Sequence, residues 1–245
     1  MQLIIDIFNE LIFRPILNLL MGALDVIPGH DLGVAIIAVT IFVRFVLYPL
    51  SYKAAVSQKK MLALKPQLDE VREQHKSDRQ KQAQAQMQLY RDNGISLFGG
   101  LNLMLIQLPL LFGLFRVFSL EVTPANVAPY LYSFTPLVER INVNFLGLID
   151  LTQPSYVLAV LAGLSQFLVA KMLYAQRKEN APVKPKKKAK KEGPDMQSML
   201  ATQTTYVFPF LIVIFASQFA AGLALYWIAS SLFSLGQQYL INKRV

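Results

Sequence analysis

An all-α polytopic membrane protein is the fold class this sequence predicts. It comprises five transmembrane helices around a cytoplasm-open hydrophilic groove, an N-terminal interfacial helix and a cytoplasmic helical hairpin. Three observations lead there. The 245 residues are 54% hydrophobic and only 16% charged, with a net charge of +9, a balance foreign to soluble domains of this length. Apolar runs of about 20 residues recur, the length that crosses about 30 Å of hydrocarbon. Basic residues crowd into the segments between particular runs, as they do in cytoplasmic loops.

Residues 1–30 form the first element. Asp6, Glu10, Arg14 and Asn18 recur every four residues among Leu3, Ile4, Ile7, Phe8, Leu11, Ile12, Ile16, Leu19 and Leu20. That is a helical period with one polar stripe, as in a helix lying in the membrane interface. Pro15 is expected to kink it. Acidic Asp6 and Glu10 stand where a secretion signal carries basic residues, and no small-residue cleavage site follows, so no cleavable signal is expected.

The first span is residues 31–53, and a charged hairpin at 54–96 follows it. Two helices are expected there, joined near His75–Ser77, with Ser77 and Gln80 as a capping box and Gly94 as the C-cap. The second helix has few large apolar groups to bury, so the hairpin is held loosely. It reads either as a solvated connector or as a partner-binding element.

Span two is 97–120, an extracytoplasmic loop occupies 121–153, and span three is 154–174. Residues 175–200 have no apolar period and are rich in Lys and Pro, so disorder is expected. Their charge suits anionic lipid headgroups or RNA phosphates, or serves simply to anchor the loop inside. Spans four (201–219) and five (220–241) are cut from one apolar stretch by a turn near Ser217–Gly222, and 242–245 is a short tail. The basic residues of 53–91, 171–191 and 243–244 all fall on one side, against Arg14, Arg116 and Arg140 on the other. This places the N-terminus outside and the C-terminus in the cytoplasm.

Composition excludes much chemistry. Cysteine is absent, which removes disulfides, thiol catalysis and Cys-based zinc sites. His30 and His75 are far apart in different settings, so no metal site is expected. No catalytic constellation and no cofactor is read.

The informative residue is Arg44, a charge inside an apolar run. Such a residue is costly and ordinarily faces a protein interior or a watery cavity. Nine residues before Lys53, it lies about 13 Å in from the cytoplasmic edge of a straight helix. Thr40, Arg44, Tyr48 and Ser51 share one helical face. Gln107 lies at similar depth in span two, Ser165 and Gln166 lie in span three, and Thr202–Thr205 open span four. Span five carries Tyr226, Trp227, Ser230, Ser231, Ser234, Gln237 and Gln238. If these faces converge, they line a wet pocket in the cytoplasmic half, the one setting where hydration at membrane depth is tolerated. The blander readings are snorkelling for Arg44 and interhelical bonding for the Ser, Thr and Gln set. No Asp or Glu lies within the apolar cores of the five spans, so a proton relay has no candidate carboxylate.

Several segments, in order, resemble the YidC family of membrane-protein insertases, related to the Oxa and Albino proteins of organelles. They are Phe8-NELIFRPILNLL, Thr40-IFVRFVLYPLSYKA-Ala55, Leu105-IQLPLLFGLFR-Val117, Phe145-LGLID-Leu151, Tyr206-VFPFLIVIF and Ala224-LYWIASSLFSLGQQY-Leu240. The resemblance implies a bacterial plasma-membrane insertase and chaperone, not an enzyme, with five helices around a hydrophilic groove. Arg44 matches the groove arginine, and Thr40 and Tyr226–Trp227 match positions that contact the passing substrate helix. Gln107, Gln166, Ser231 and Ser234 complete the expected groove. Implied partners are nascent membrane proteins, the ribosome (through the basic loop 177–191), the Sec translocon and anionic lipids. Departures from familiar members are the lack of a large extracytoplasmic domain, of a lipoprotein signal and of a long basic tail. The alternative reading is a small-solute transporter or anion channel with Arg44 as counter-ion, although the internal repeats and broken midplane helices of transporters are not seen.

Overall fold

The computed structural model describes residues 2–76, 78–95, 102–179 and 203–244. The expected Thr202 and most of the lysine-rich segment lie outside them. The molecule is predominantly helical. α1 (Gln2–Phe8) runs through a π-helical turn at Asn9–Phe13 into α2 (Arg14–Val26). Pro15 supplies no N–H to the turn before it, and the widened turn stands where the sequence calls for a kink.

The polar stripe of this N-terminal segment meets protein. Asn18 donates to the carbonyls of Arg14 (2.7 Å) and Tyr130 (3.1 Å) and accepts from the Tyr132 amide (2.7 Å). Arg14 donates to the Tyr130 carbonyl at 3.2 Å, lies over the Tyr132 ring and pairs with Glu10. The other face is core: Phe13, Leu17, Leu20, Met21 and Leu24 are fully buried. α2 packs on α3 and α7, and its stripe clamps the loop above. Ile5–Val26 also has the length and apolarity of a span.

α3 (Leu32–Val46) is capped by Asp31, whose side chain accepts from the Gly33 and Val34 amides. The chain bends by 61° between α3 and α4 (Tyr48–Ala63). Pro49 explains the bend, since it offers no N–H to the carbonyl four residues back. A second break at Leu64, before Pro66, starts α5 (Lys65–Gln74). α6 (Arg79–Asp92) returns alongside α5. Its N-cap is Asp78, accepting from the Gln80 and Lys81 amides at 3.1 and 3.0 Å. The expected capping box thus gives way to an aspartate one residue later, a carboxylate being the stronger acceptor for helix-end amides; Ser77 itself lies outside the described residues. Gly94, at φ +62°, closes α6 as expected. Its amide bonds the Arg91 carbonyl and that of Ile95 the Tyr90 carbonyl, the Schellman pattern.

α7 (Asn102–Ser119) leads through the short α8 (Pro124–Val127) to a two-stranded antiparallel hairpin, β1 (Asn144–Phe145) and β2 (Ile149–Asp150). This small ladder was not expected, being too short to show a strand pattern. α9 (Tyr156–Glu179) is long and apolar. α10 (Phe208–Ala216) follows a π-helical turn at Gln203–Val207 and ends in a tight turn before α11 (Ala221–Arg244), where the sequence places one. Tyr156–Ala175 is long and apolar enough to cross alone, and the bent α3–α4 pair is so if taken together. Leu108–Ser119 and Thr205–Ala216 are shorter apolar helices.

α11 packs most extensively on α9 and then on α3, and α10 packs on α9. The core gathers α2, the first half of α3, the end of α7, the start of α9, part of α10 and the start of α11. Loop carbonyls cap α11: the Ala221 and Gly222 amides donate to Gln153 and Leu151. Gly33 lets β1 settle on α3, where a Cβ would run into the Phe145 ring.

Candidate functional site

The site is built on α11, which faces α3 with one strip of side chains and α9 with the next. Residues four apart lie above one another on a helix, so Tyr226, Ser230 and Ser234 form one strip and Trp227 and Ser231 the neighbouring one.

Arg44 on α3 meets the first strip. Its side chain is 7% exposed, and its guanidinium donates to the Ser230 hydroxyl. Ser230 is hydrogen-bonded to Tyr226 as well, and both are almost wholly buried. Ser234 donates to the Ser230 backbone carbonyl at 2.9 Å. The Arg44–Ser230 bond thus links α3 to α11, and the Tyr226 and Ser234 hydroxyls bond Ser230 within α11. The Ser230 hydroxyl is neutral, so it orients the guanidinium without cancelling its charge.

Gln166 on α9 meets the second strip. Its side-chain oxygen accepts from the Trp227 indole N–H at 3.2 Å and from the Ser231 hydroxyl at 3.3 Å. The indole is held by its polar edge and lies against the Phe208 ring, centroids 6.4 Å apart. Trp227 is therefore fixed within the bundle by a bond, unlike an interface anchor.

Thr40, one turn above Arg44, is buried and donates to the Ile36 carbonyl at 2.6 Å. It shares the Arg44 face of α3 through helical spacing. Gln107 lies on α7, and its side chain is outside the described set. Ser51 on α4, Ser165 on α9, Thr205 in the π-helical turn before α10, and Gln237 and Gln238 on α11 are further buried polar residues. Ser51 and Ser165 bond carbonyls of their own helices, the less specific role open to such residues.

The bend after α3 alters the depth of Arg44. Six of the nine residues to Lys53 lie beyond Leu47, on a segment turned by 61°. Measured along the α3 axis, the separation drops to about 9 Å from the about 13 Å of a straight helix. That distance is within reach of a snorkelling side chain. Arg44 nonetheless turns inward to Ser230, so contact with α11 governs its direction.

Two residues that organise the site stood outside the expected groove set. Ser230 was visible as part of the polar stripe of span five, but nothing in sequence singles it out as the acceptor for Arg44 across 186 positions. Asp31 positions α3, and its signal was legible: an aspartate just before an apolar helical run is a start signal.

Comparison with known proteins identifies the family. The family model described as 60Kd inner membrane protein matches residues 24–245. The chain is 32% identical over 238 residues to a protein of Fusobacterium nucleatum named membrane protein insertase YidC, covering 97% of this chain and 98% of that one. Proteins of the same name from Jannaschia sp. (strain CCS1) and Geobacter sulfurreducens are 32% and 29% identical, each over 87% of this chain. The chain spans only about a third of the length of those two relatives, 33% and 34%. With a family model across nearly its whole length and a full-length relative, this chain belongs to the 60Kd inner membrane protein family, the YidC/Oxa group.

Proposed function

We propose that the chain is a membrane-protein insertase and chaperone. It moves apolar segments and short polar tails of nascent proteins from the cytoplasm into the plasma membrane, through a hydrated groove between five spans. The observation that carries this reading is Arg44, a buried charge held between α3 and α11 by the Ser230 hydroxyl. Each polar group brought bare into hydrocarbon costs roughly 2–7 kcal/mol. A groove hydrated from the cytoplasmic side lowers that barrier over part of the crossing. The Arg44 charge attracts acidic groups of the tail, and attraction strengthens where the dielectric is low. The apolar client helix slides along the outward surfaces of α3 and α11 and leaves sideways into lipid. No nucleotide or bond chemistry is required.

In this reading Thr40, Gln107, Gln166, Tyr226, Trp227, Ser231 and Ser234 line or shape the groove. The N-terminus is extracytoplasmic and the C-terminus cytoplasmic. The basic loop 177–191 meets ribosomal RNA or anionic lipid, and the protein works alone or beside the Sec translocon. The test is depletion of the host insertase and rescue by Arg44→Ala, Arg44→Lys or unaltered protein. Arg44→Ala is expected to lower insertion of a client with an acidic tail severalfold, with Arg44→Lys close to unaltered. Equal insertion by all three overturns the charge-attraction step. Photo-crosslinkers at Thr40 and Trp227 are expected to capture ribosome-bound nascent chains in vesicles lacking Sec; capture only with Sec present reduces the role to an assisting one.

A further inference from the structure

The turn between β1 and β2 is made by Leu146 and Gly147, both left-handed, at φ +51° and +71°. The loop has three residues, 146–148, with Phe145 opposite Ile149; two successive positive-φ positions favour Gly, Asn or Asp, because leucine is strained there. Leu146 gains no compensation inside the protein, being 64% exposed, and Leu148 beside it is 83% exposed. A strained, exposed leucine followed by another is a poor solution for a turn in water. The conformation is nevertheless fixed, since the Leu146 amide donates to Asp31 Oδ2 at 2.8 Å. The other oxygen of that nearly buried carboxylate caps α3.

The bond also sets the level of the tip, which lies beside the first turn of α3. The same boundary carries the end of α2 and the start of α9, where Val26 and Tyr156 are each 77% exposed. Leu146 and Leu148 are thus exposed apolar side chains, like those at these helix ends.

We infer that the Leu146–Leu148 tip is a lipid-inserting loop, seated in the extracytoplasmic leaflet and locked to α3 by Asp31. It holds the outer end of α3, and with it Arg44, at a fixed height in the bilayer. The inference rests on the membrane-spanning reading but not on the insertase activity.

The absence of cysteine allows single labels in the full-length protein. An environment-sensitive fluorophore is placed at Leu148→Cys, with Val160→Cys on the outward surface of α9 as the lipid reference and Glu139→Cys in the exposed loop as the water reference. The protein is reconstituted in phosphatidylcholine–phosphatidylglycerol vesicles. At position 148, quenching by lipids spin-labelled near the headgroup is expected to match or exceed that at 160. Iodide quenching there should be severalfold weaker than at 139. Iodide quenching at 148 equal to that at 139 overturns the inference, as does shielding from both quenchers, which marks a protein partner on the tip. If position 160 also reads as aqueous, the membrane-spanning reading itself fails. Asp31→Ala is expected to raise iodide access at 148 at least twofold while 160 stays unchanged; no change at 148 removes the lock.

Discussion

Ser230 shows how much one neutral side chain does for a buried charge. It accepts from Arg44 and bonds Tyr226, so a single hydroxyl joins α3 to α11. Replacing it with alanine takes an acceptor from a buried cation, a loss of about 1–3 kcal/mol. We expect Ser230→Ala to lower the thermal midpoint in detergent by several degrees, and Ser230→Thr to retain most of it. Asn18 is the counterpart at the outer end, tying α2 to Tyr130 and Tyr132 through both atoms of its amide. Asn18→Leu preserves the size but abandons the loop's backbone groups, so faster hydrogen exchange at the Tyr132 amide is expected. Arg44 was legible in sequence because a charge in an apolar run is conspicuous. Ser230 was not, because hydroxyl residues are common in such helices and only packing selects one of them.

At the scale of elements, the α5–α6 hairpin carries its determinants locally. Asp78 caps α6 and Gly94 closes it. Asp78→Ala is expected to cost about 1 kcal/mol, read as roughly fivefold faster exchange of the Gln80 and Lys81 amides. Tyr90 adds a pH dependence. Burial raises its hydroxyl above the ordinary value of 10.0, and the Arg72 charge partly opposes that. The folded hairpin therefore favours the neutral phenol, so its contribution is complete below pH 10 and is lost as pH rises beyond. Loosening of α5 against α6 above that pH, followed by spin-label distances, should vanish in Tyr90→Phe. The two-helix plan and Gly94 were legible because caps and turns are local signals. The breaks at Leu47 and Leu64 were missed although Pro49 and Pro66 were in view, since a proline at a helix start and one that bends a helix look alike in sequence.

For the whole molecule, the distribution of basic residues makes a topological prediction. With single cysteines introduced, a membrane-impermeant maleimide added outside intact cells is expected to label Glu139→Cys and spare Gln88→Cys. Labelling is expected to reverse in inverted vesicles. The arrangement of α2 could not be foreseen in this way. Its stripe of Glu10, Arg14 and Asn18 has the spacing of an interfacial helix, and that spacing is the same whether the polar face meets headgroups or a loop. Tyr130 supplies a carbonyl and Tyr132 an amide at the right height, and no local pattern encodes that meeting.

Composition and order of residues were enough to establish a helical membrane protein, its family and its conspicuous charge, because hydropathy, charge asymmetry and motif order are properties of the chain read along its length. Tertiary structure decided what that charge touches. Helical spacing puts Tyr226, Ser230 and Ser234 on one strip and Trp227 and Ser231 on the next. Only the packing of α11 between α3 and α9 assigns Arg44 to the first strip and Gln166 to the second. The same holds for Asp31, readable as a helix cap but not as the lock on a hairpin 115 residues away. Local signals survive in sequence because their partners are neighbours; contacts across the bundle depend on how whole helices are brought together.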